Sequence, residues 1–338
     1  MPSDDWHNIL PPMLQEAGLV ASSISDIAPL TGGVSSDIIR FRTDDGRQFC
    51  AKRALSKLKV AEDWTVPLER NSYEVAWLRR ANSIIPGAAP QVIADSAEFG
   101  TVILEFLPPE QFDNWKSLML AGDADPDIAA TVGATLGHLH AATSNDPEVA
   151  ETFATDSLFD ALRLDPYLRF TATVHLDLSE KILAVLAQTA ATQTALVHGD
   201  FSPKNILIRK SDNQPVILDA ECAWYGDPAF DAAFCLNHFL LKAAHIPQLE
   251  PAFLTSAIHF YDAWIACFPP QQQAMVTRHV LQLLPCLLLA RIDGKSPAEY
   301  LTTTQRTLVR SAARELISQD HRTLAQLISD FAQLVQNK

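Results

Sequence analysis

The chain has 338 residues, of which 48% are hydrophobic and 20% are charged, and its formal net charge is −14. This composition is ordinary for a folded protein, and the length allows two domains or one unit of two lobes with a sizeable core. Proteins that bind the nucleic-acid backbone are more often basic, so the charge argues against nucleic acid as a partner.

Strand signals dominate the first hundred residues. Apolar and polar residues alternate in 37–43, a turn follows at 44–46, and a second strand continues over 47–55, which together predict a β-hairpin. Residues 91–109 predict two further strands joined by a turn. Before them, the second half of 62–81 has apolar residues near helical spacing and predicts one helix.

From about residue 110 onward the pattern becomes helical. Helices are predicted at 127–143, at 178–190, at 228–242 and through most of the chain after about residue 250. Short strands interrupt them at "NILI" and "PVILD", and two prolines in "EFLPPE" end the last strand of the first part. We therefore expect an α+β protein with a small N-terminal lobe, residues 1–108, and a larger, mainly helical lobe, residues 109–338.

The cysteine spacing, the N-terminal segment and the apolar runs favour a cytoplasmic protein without a membrane segment. The five cysteines form no C-x-x-C pair, which argues against a disulfide framework or a structural zinc site and fits free thiols in a reducing compartment. The N-terminal segment does not have the pattern of a signal peptide. The longest apolar run, residues 281–290, is too short to span a bilayer and contains Pro285, so we expect a buried helix there.

A polar loop between apolar segments lies at residues 196–208, "LVHGDFSPKNILI". It displays Asp200 and, five residues later, Asn205, while Asp219 follows an apolar strand 14 residues beyond Asn205. A carboxylate beside a hydroxyl group can orient that group and accept its proton. An amide and a second carboxylate can hold a metal ion that neutralises phosphate oxygens. H-x-D-x-x-x-x-N alone is a weak pattern, but the strand and the later Asp make it much stronger.

The segments "HGDFSPKNIL" and "ILDAECAWYGDPAFD" resemble the aminoglycoside phosphotransferase and choline kinase family, which has the protein-kinase-like fold. The resemblance covers roughly residues 27–300. It implies a five-stranded antiparallel N-terminal sheet with one helix, followed by a helical lobe. It also implies a kinase that moves the γ-phosphate of ATP, or of GTP, to a hydroxyl group of a small molecule such as an aminoglycoside, an amino alcohol or a sugar.

The resemblance assigns roles to the residues of the polar loop and its surroundings. Asp200 is the catalytic base, or at least orients the acceptor hydroxyl, and Asn205 and Asp219 bind Mg²⁺. Apart from the resemblance, we expect Asp231 to brace the loop by accepting backbone N–H bonds, and His198 to be a structural, hydrogen-bonded ring below it.

The resemblance also implies a nucleotide site in the N-terminal lobe. Lys52, in "FCAKRAL", contacts the α- and β-phosphates, and Glu74 pairs with Lys52. Glu69 is the alternative acid, but Glu74 is preferred because an apolar helical face follows it. The backbone of Glu105 and Leu107 reads the adenine edge.

The segment "LTGGVSSDIIRF" resembles the loop that covers the phosphates, with Ser35 and Ser36 as phosphate-binding residues. It departs from G-x-G-x-x-G, although backbone N–H groups and the serine hydroxyls can still bind phosphate oxygens. Protein kinases carry a lysine where this chain has Ser202, and Lys204 either replaces its charge or points outward.

The acceptor is a small molecule rather than a peptide, because only eleven residues separate Asp219 from Asp231 and no long activation segment is present. We expect its pocket between the polar loop, the helical insert at about 144–190 and the C-terminal helices. "AWYGDPAFD" is similar to the methylthioribose kinase form of the motif, which suggests a sugar-like acceptor.

Several alternatives remain open at this point. Residues 109–338 carry a net charge of −10, which would attract a cationic acceptor, but acidic residues of this kind equally serve solubility. Glu221 either contacts the metal or the acceptor, or makes local hydrogen bonds. A cluster follows the apolar helix and contacts the acceptor or caps the helix: Arg291, Asp293 and Lys295. The sequence leaves homodimer formation open. The alternative function is a catalytically silent, kinase-like nucleotide-binding regulatory protein.

Overall fold

The structure is a computed structural model, and it describes residues 3–19, 23–30, 36–54 and 70–336. The chain divides into two compact units. The first unit comprises Met1–Phe112 and Val216–Glu221, and the second comprises Asp113–Pro215 and Cys222–Lys338. The backbone N–H of Ile217 donates to the carbonyl of Ala88 at 2.8 Å, which ties the short second segment into the first unit.

The first unit contains an antiparallel sheet of five strands in the order β1-β2-β3-β5-β4. The strands are β1 Ile24–Pro29, β2 Ser36–Thr43, β3 Gln48–Ala54, β4 Val92–Ser96 and β5 Thr101–Glu105. β2 and β3 pair from Asp37↔Arg53 to Arg42↔Gln48, so the predicted hairpin is confirmed. The two strands predicted in 91–109 are confirmed as β4 and β5. The sequence pattern did not predict β1, but the sheet has the five strands that the family resemblance implies.

Two helices accompany the sheet, α1 Ser3–Glu16 and α2 Arg70–Ile84. α2 confirms the helix predicted in the second half of 62–81, although residues 55–69 lie outside the described part. α1 was not predicted. Its buried side chains Trp6, Leu10 and Leu14 recur at helical spacing and pack into a cluster with Phe41 of β2.

The second unit is mainly helical, as the sequence predicts. Its helices are α3 Trp115–Leu120, α4 Pro126–Ala142, α5 Pro147–Thr152, α6 Asp156–Phe159, α7 Phe170–Val174, α8 Ser179–Ala191, α9 Pro228–His245, α10 Glu250–Ile265, α11 Pro270–Asp293, α12 Thr303–Ser318 and α13 Leu324–Gln336. A π-helical segment, Asp160–Arg169, joins α6 to α7. The remaining strands are β6 Phe112–Asn114, β7 Ala195–Val197, β8 Ile206–Arg209, β9 Pro215–Ile217 and β10 Trp224–Gly226.

Three of these helices begin with the same pair of residues, an aspartate followed by a proline. The Asp side chain accepts hydrogen bonds from the first-turn N–H groups, and the proline takes the first helical position, where its missing N–H costs nothing. The pairs are Asp125-Pro126 before α4, Asp146-Pro147 before α5 and Asp227-Pro228 before α9.

The helix α11 carries the apolar run 281–290, and nearly all of that run is buried, which confirms the predicted core helix. By length and composition alone α11 could cross a membrane, and 72% of its most apolar window is buried inside the protein. Within the described residues, it is the one helix that meets those two criteria.

The helices α4 and α10 approach each other closely where α4 has glycine. A Cβ atom at Gly133 would lie 2.1 Å from the carbonyl oxygen of Phe260, and one at Gly137 would lie 2.6 Å from that of Trp264. Both contacts are with backbone atoms, which cannot move aside as a flexible side chain can. Only glycine therefore allows this helix spacing.

We expect Gly133→Ala to destabilise the protein by about 2–3 kcal/mol, because the new methyl group forces α4 away from α10. Helix propensity alone predicts the opposite, a gain of about 1 kcal/mol. Chemical denaturation of both proteins decides between them. A more stable variant would contradict the close packing.

Candidate active site

The first unit holds a buried lysine between two acids. Lys52 extends from β3, is 4% exposed, and its Nζ lies 2.8 Å from both carboxylate oxygens of Glu74 on α2. Nζ also contacts Oδ1 of Asp219. The structure thus brings together three residues that the sequence assigned to nucleotide and metal binding. Glu69, the rival of Glu74, lies outside the described residues.

The charges of this group shift two pKa values upward. Burial would lower the pKa of Lys52, but the negative charges of Asp219, Glu74 and Glu221 outweigh it and hold that pKa well above its ordinary value. Burial raises the pKa of Glu74 to about 7, and the attraction of Lys52 only partly opposes this effect. The ammonium therefore stays charged, while its most buried acid takes up a proton near neutral pH.

Asp219 has an unusual backbone conformation, with φ at 64°. This left-handed region is uncommon for residues other than glycine and is found more often for Asp and Asn than for bulkier residues. Strained backbone of this kind concentrates at functional sites. Glu221, two residues on, binds Arg70 of α2 at 3.1 Å, which favours the local role among the two that the sequence left open.

In the second unit, the polar loop turns sharply at Gly199. Its φ is 76°, and a Cβ atom there would lie 2.4 Å from the carbonyl oxygen of Cys222. The next residue, Asp200, donates its backbone N–H to Nδ1 of His198 at 3.1 Å. His198 is fully buried, so its predicted structural role agrees with its position. The tight turn requires glycine at this point.

A chain of hydrogen bonds holds this turn from below. Asp231, on the first turn of α9, accepts the backbone N–H groups of His198 at 2.7 Å and Gly199 at 2.9 Å, which confirms its predicted bracing contacts. The indole N–H of Trp264 can only donate, and it lies 3.1 Å from Nδ1 of His140. His140 Nδ1 is therefore the acceptor, and its Nε2–H donates to Asp231 at 3.3 Å.

Three donors converge on one oxygen of Asp200. Asn205 Nδ2 lies 3.0 Å from Oδ2, Lys204 Nζ lies 2.9 Å away, and Arg163 Nη2 lies 3.1 Å away. Arg163 also donates through Nε to the carbonyl of Gly199. Lys204 therefore lies against Asp200, although half of its side chain is exposed. The loop side chains and Arg163 together fix the orientation of the carboxylate.

Sequence reasoning missed Arg163. It lies in the π-helical segment Asp160–Arg169, which contains Pro166, and π-helical turns often occur at functional sites. The guanidinium lies 6.0 Å from the ring centres of Tyr167 and Phe234. No local motif marks this arginine. The one signal was the expectation that the insert at 144–190 borders the acceptor pocket.

The donor atoms of the two predicted metal ligands fit Mg²⁺. The amide nitrogen of Asn205 is bound to the carbonyl oxygen and carboxylate of Asp200, each at 3.0 Å, so its amide oxygen is the atom that can ligate a cation. Asp219 supplies a carboxylate. Mg²⁺ sites commonly use one or two such ligands with phosphates and water. In the described ranges, no group of three or more His, Cys, Asp or Glu side chains could hold a metal.

The other residues predicted for the nucleotide site lie at or near the ends of strands β2 and β5 or outside the described residues. Ser36 begins β2, is 2% exposed, and its hydroxyl has no hydrogen-bond partner among the described residues. Ser35 lies outside them. Glu105 ends β5, and its carboxylate accepts the N–H of Gln91 at 3.3 Å. Leu107 follows outside any strand.

The residues of the cluster after the apolar helix point to different partners. Asp293 binds His175 and Arg310, and Lys295 binds Asp165 at 2.9 Å. Arg291 donates to the side chain of Ser296 at 2.8 Å. These residues therefore do not form one joint site.

Comparison with known protein families assigns the chain to one of them. The model of the phosphotransferase enzyme family matches residues 26–264, more than half of the chain. The chain belongs to the phosphotransferase enzyme family. The resemblance found in the sequence is thereby confirmed.

One curated relative is the methylthioribose kinase of Pectobacterium atrosepticum, which is 25% identical over 229 residues, 59% of this chain and 55% of that protein. The chain thus spans about half the length of the curated relatives that it matches.

Two solved structures share the fold of this phosphotransferase. An aminoglycoside phosphotransferase from Alicyclobacillus acidocaldarius has a TM-score of 0.51 at 16% identity, covering 92% of this chain and 93% of that one. An amicoumacin kinase in complex with AMP-PNP, Ca²⁺ and Ami has a TM-score of 0.51 at 13% identity, covering 100% and 97%. They confirm the predicted α+β, protein-kinase-like fold class, and at these identities they show the fold alone.

We expect the raised pKa of Glu74 to make stability depend on pH. The folded-state value, about 7, exceeds the ordinary 4.5, so the folded protein loses stability as pH rises through this window and levels off above it. Glu74→Gln has no proton to release. The difference in unfolding free energy between Glu74→Gln and wild type should therefore rise by about 3 kcal/mol, in favour of the variant, from pH 4.5 to pH 7.

Denaturation at several pH values checks this result, with the exposed Glu16→Gln in the same unit as the control. Because Lys52 stays protonated throughout the window, its lost pairing adds only a constant offset. Parallel curves for wild type and Glu74→Gln would contradict the raised pKa.

Proposed function

We propose that this phosphotransferase is a magnesium-dependent kinase that moves the γ-phosphate of ATP, or of GTP, to a hydroxyl group of a small molecule. The observation that carries the proposal is the buried Lys52, which is paired with both Glu74 and Asp219. Burying one ammonium among carboxylates is costly, so the arrangement serves function more readily than stability. The known complex of the amicoumacin kinase with AMP-PNP and Ca²⁺ supports a nucleotide and a divalent cation.

Lys52 and its partners would act on the nucleotide. The ammonium stays charged and would bind the α- and β-phosphates, while Glu74 fixes its position. Ser35, Ser36 and the backbone of Glu105 and Leu107 would complete the nucleotide contacts, as the family resemblance implies. When bound, Mg²⁺ neutralises charge on the phosphate oxygens, and Asn205 and Asp219 would hold it.

Asp200 would act on the acceptor. Phosphoryl transfer has a loose transition state, so positioning the hydroxyl group contributes more than activating it. The bonds from Arg163, Lys204 and Asn205 hold the carboxylate in one orientation. Asp200 would then orient the hydroxyl group and accept its proton late in the transfer.

The acceptor class follows from the family rather than from one relative. The short span between Asp219 and Asp231 leaves no room for a peptide-docking segment. The methylthioribose kinase likeness favours a sugar-like hydroxyl compound, and aminoglycosides and amino alcohols remain within the proposed class.

Turnover of Asp200→Asn tests the function directly. The substitution keeps the shape of the side chain and removes its charge, so kcat should fall by about 10²–10⁴-fold while the nucleotide KM stays within a few-fold. A coupled assay with a panel of hydroxyl acceptors, and nucleotide hydrolysis without acceptor, provide the measurement. Asp212→Asn, an exposed turn residue of the same unit, is the control.

A loss below tenfold in Asp200→Asn would mean that this residue only shapes the turn. Magnesium-dependent nucleotide binding without any turnover in wild type would instead support a silent, kinase-like regulatory protein.

Arg163→Lys tests how Asp200 is positioned. The planar guanidinium spans the Gly199 carbonyl and the Asp200 carboxylate at once, and the single ammonium of lysine cannot. We expect kcat to fall about 10–100-fold with an unchanged nucleotide KM. Arg169→Lys, in the same π-helical segment, should retain wild-type kcat, and equal kinetics of the two variants would exclude a positioning role.

A further inference from the structure

A second buried lysine lies in the helical unit, on α9. Lys242 is 0% exposed, and its Nζ has no hydrogen-bond partner among the described residues. Its ammonium instead faces the ring of Tyr300, 5.4 Å from the ring centre. Lysine is almost never fully buried without a paired acid, and a ring face compensates only in part for lost water. This lysine therefore needs an explanation.

Two further polar atoms near Lys242 resemble its Nζ in being buried and, within the described residues, unpaired. The hydroxyl of Tyr300 and Nε of Arg291 are also buried without a hydrogen-bond partner in the described part of the chain. Native proteins leave few buried polar groups unsatisfied, and each such group calls for an explanation. All three atoms can donate a hydrogen bond, so an acceptor bound among them would satisfy groups that otherwise lack a partner among the residues that the structure describes.

The surroundings add positive charge rather than a balancing acid. Burial lowers the pKa of Lys242 to about 7, and the charges of Lys116 and Arg291 act in the same direction. Glu299 acts in the opposite direction on the pKa of Lys242, but its carboxylate is already bound to Lys116 at 3.1 Å. The local charge is thus opposite in sign to the net charge of −14 that the whole chain carries.

His238 lies between the cations around Lys242 and Lys204 of the polar loop, because the charges of both act on it. Burial lowers the pKa of His238 well below its ordinary value, and four nearby cations act in the same direction: Lys242, Arg291, Lys204 and Lys116. Part of the His238 surface is nevertheless accessible to solvent. His238 therefore lies at the surface where this cationic group meets solvent.

The geometry of α9 links this surface to Asp200. Phe234, His238 and Lys242 are four residues apart, so they share one face that extends over about 12 Å. At one end, Phe234 lies 6.0 Å from the Arg163 guanidinium that binds Asp200. The His238 ring lies 5.9 Å from that of Phe234, and Lys242 is at the far end.

We propose that Lys242, Tyr300 and Arg291 bind an acidic group of the acceptor, a carboxylate or a phosphate, on the order of 10 Å from the hydroxyl group at Asp200. The acceptor is then a compound of about sugar size with an anionic end. An oxyanion accepts several hydrogen bonds at once and balances the buried charge. The placement beside an acceptor rests on the proposed function, whereas binding of an anion at Lys242 does not.

Stability of Lys242→Met provides the first test. Methionine fills the same space without charge, so in buffer free of phosphate and carboxylate the variant should melt about 2 °C or more above wild type. A lysine held in place by bridging water would give the opposite result, a lower melting temperature, and would overturn the proposal. Lys181→Met, which removes one exposed charge of the same unit, should change little.

Anion binding provides the second test, with inorganic phosphate and acetate as the probes at constant ionic strength. Either probe should raise the melting temperature of wild type and of Lys181→Met by more than that of Lys242→Met, in which the proposed phosphate contacts of Lys52 remain. Tyr300→Phe, which removes only the hydroxyl group, should weaken binding several-fold. Equal shifts in wild type and Lys242→Met, or no shift in wild type, would overturn the proposal.

Turnover of matched acceptors separates this inference from the proposed function. Ribose 5-phosphate is compared with ribose, and glucuronate with glucose, so that the two pairs distinguish phosphate from carboxylate. The acidic member of one pair should have at least a tenfold higher kcat/KM, and Lys242→Met should abolish that preference. Turnover of neutral acceptors without such a preference would refute the inference and leave the kinase function standing. Anion binding at Lys242 without any turnover would do the reverse.

Discussion

One buried carboxylate, that of Asp231, holds the turn on which the candidate active site is built. It is 0% exposed and accepts two backbone N–H groups of the polar loop. Such a charge is tolerated in the interior only when donors surround it, and the Nε2–H of His140 supplies the third. Since His140 is in turn fixed by Trp264, the position of Asp200 is set by the core of the helical unit rather than by the loop alone. This explains how the polar loop forms a rigid turn, although its composition, rich in Gly, Ser, Pro and Lys, is typical of exposed loops.

The two units carry opposite arrangements of charge. In the first, a single cation, Lys52, contacts Glu74 and Asp219. In the second, a single carboxylate, Asp200, receives donors from three side chains. Replacing buried ion pairs by apolar residues is often neutral or stabilising, so such groups are weak evidence for stability. They suit a function in which phosphate must be bound and a hydroxyl group oriented, because each supplies a fixed charge that needs no rearrangement during the reaction.

Local signals predicted much of the fold and the residue types of the site. The alternating pattern of β2 and β3 and the helical spacing of α2 are properties of short segments, and both predictions are confirmed. The motif of the polar loop predicted Asp200 and Asn205 because their spacing is local. Arg163 and Lys242 could not be predicted in this way. Their importance comes from partners 37 and 58 positions away in sequence, Asp200 and Tyr300, and no short pattern encodes such contacts. Helix α1 was missed because Pro11 and Pro12 interrupt its signal.

One face of helix α9 carries residues of both proposed sites, the one at Asp200 and the one at Lys242. Asp231, Phe234, His238 and Lys242 follow one another at spacings of three, four and four residues, and so they lie in a row along the helix. The first fixes the polar loop, the second lies beside the arginine that binds Asp200, and Lys242 is proposed to bind the anionic end of the acceptor, with His238 between them. Because a helix keeps these side chains at fixed separations, the proposed sites would also fix the distance between the reacting hydroxyl group and the anionic end of the acceptor. Substitutions at the Lys242 end can therefore alter which acceptor is bound without disturbing the turn that Asp231 holds.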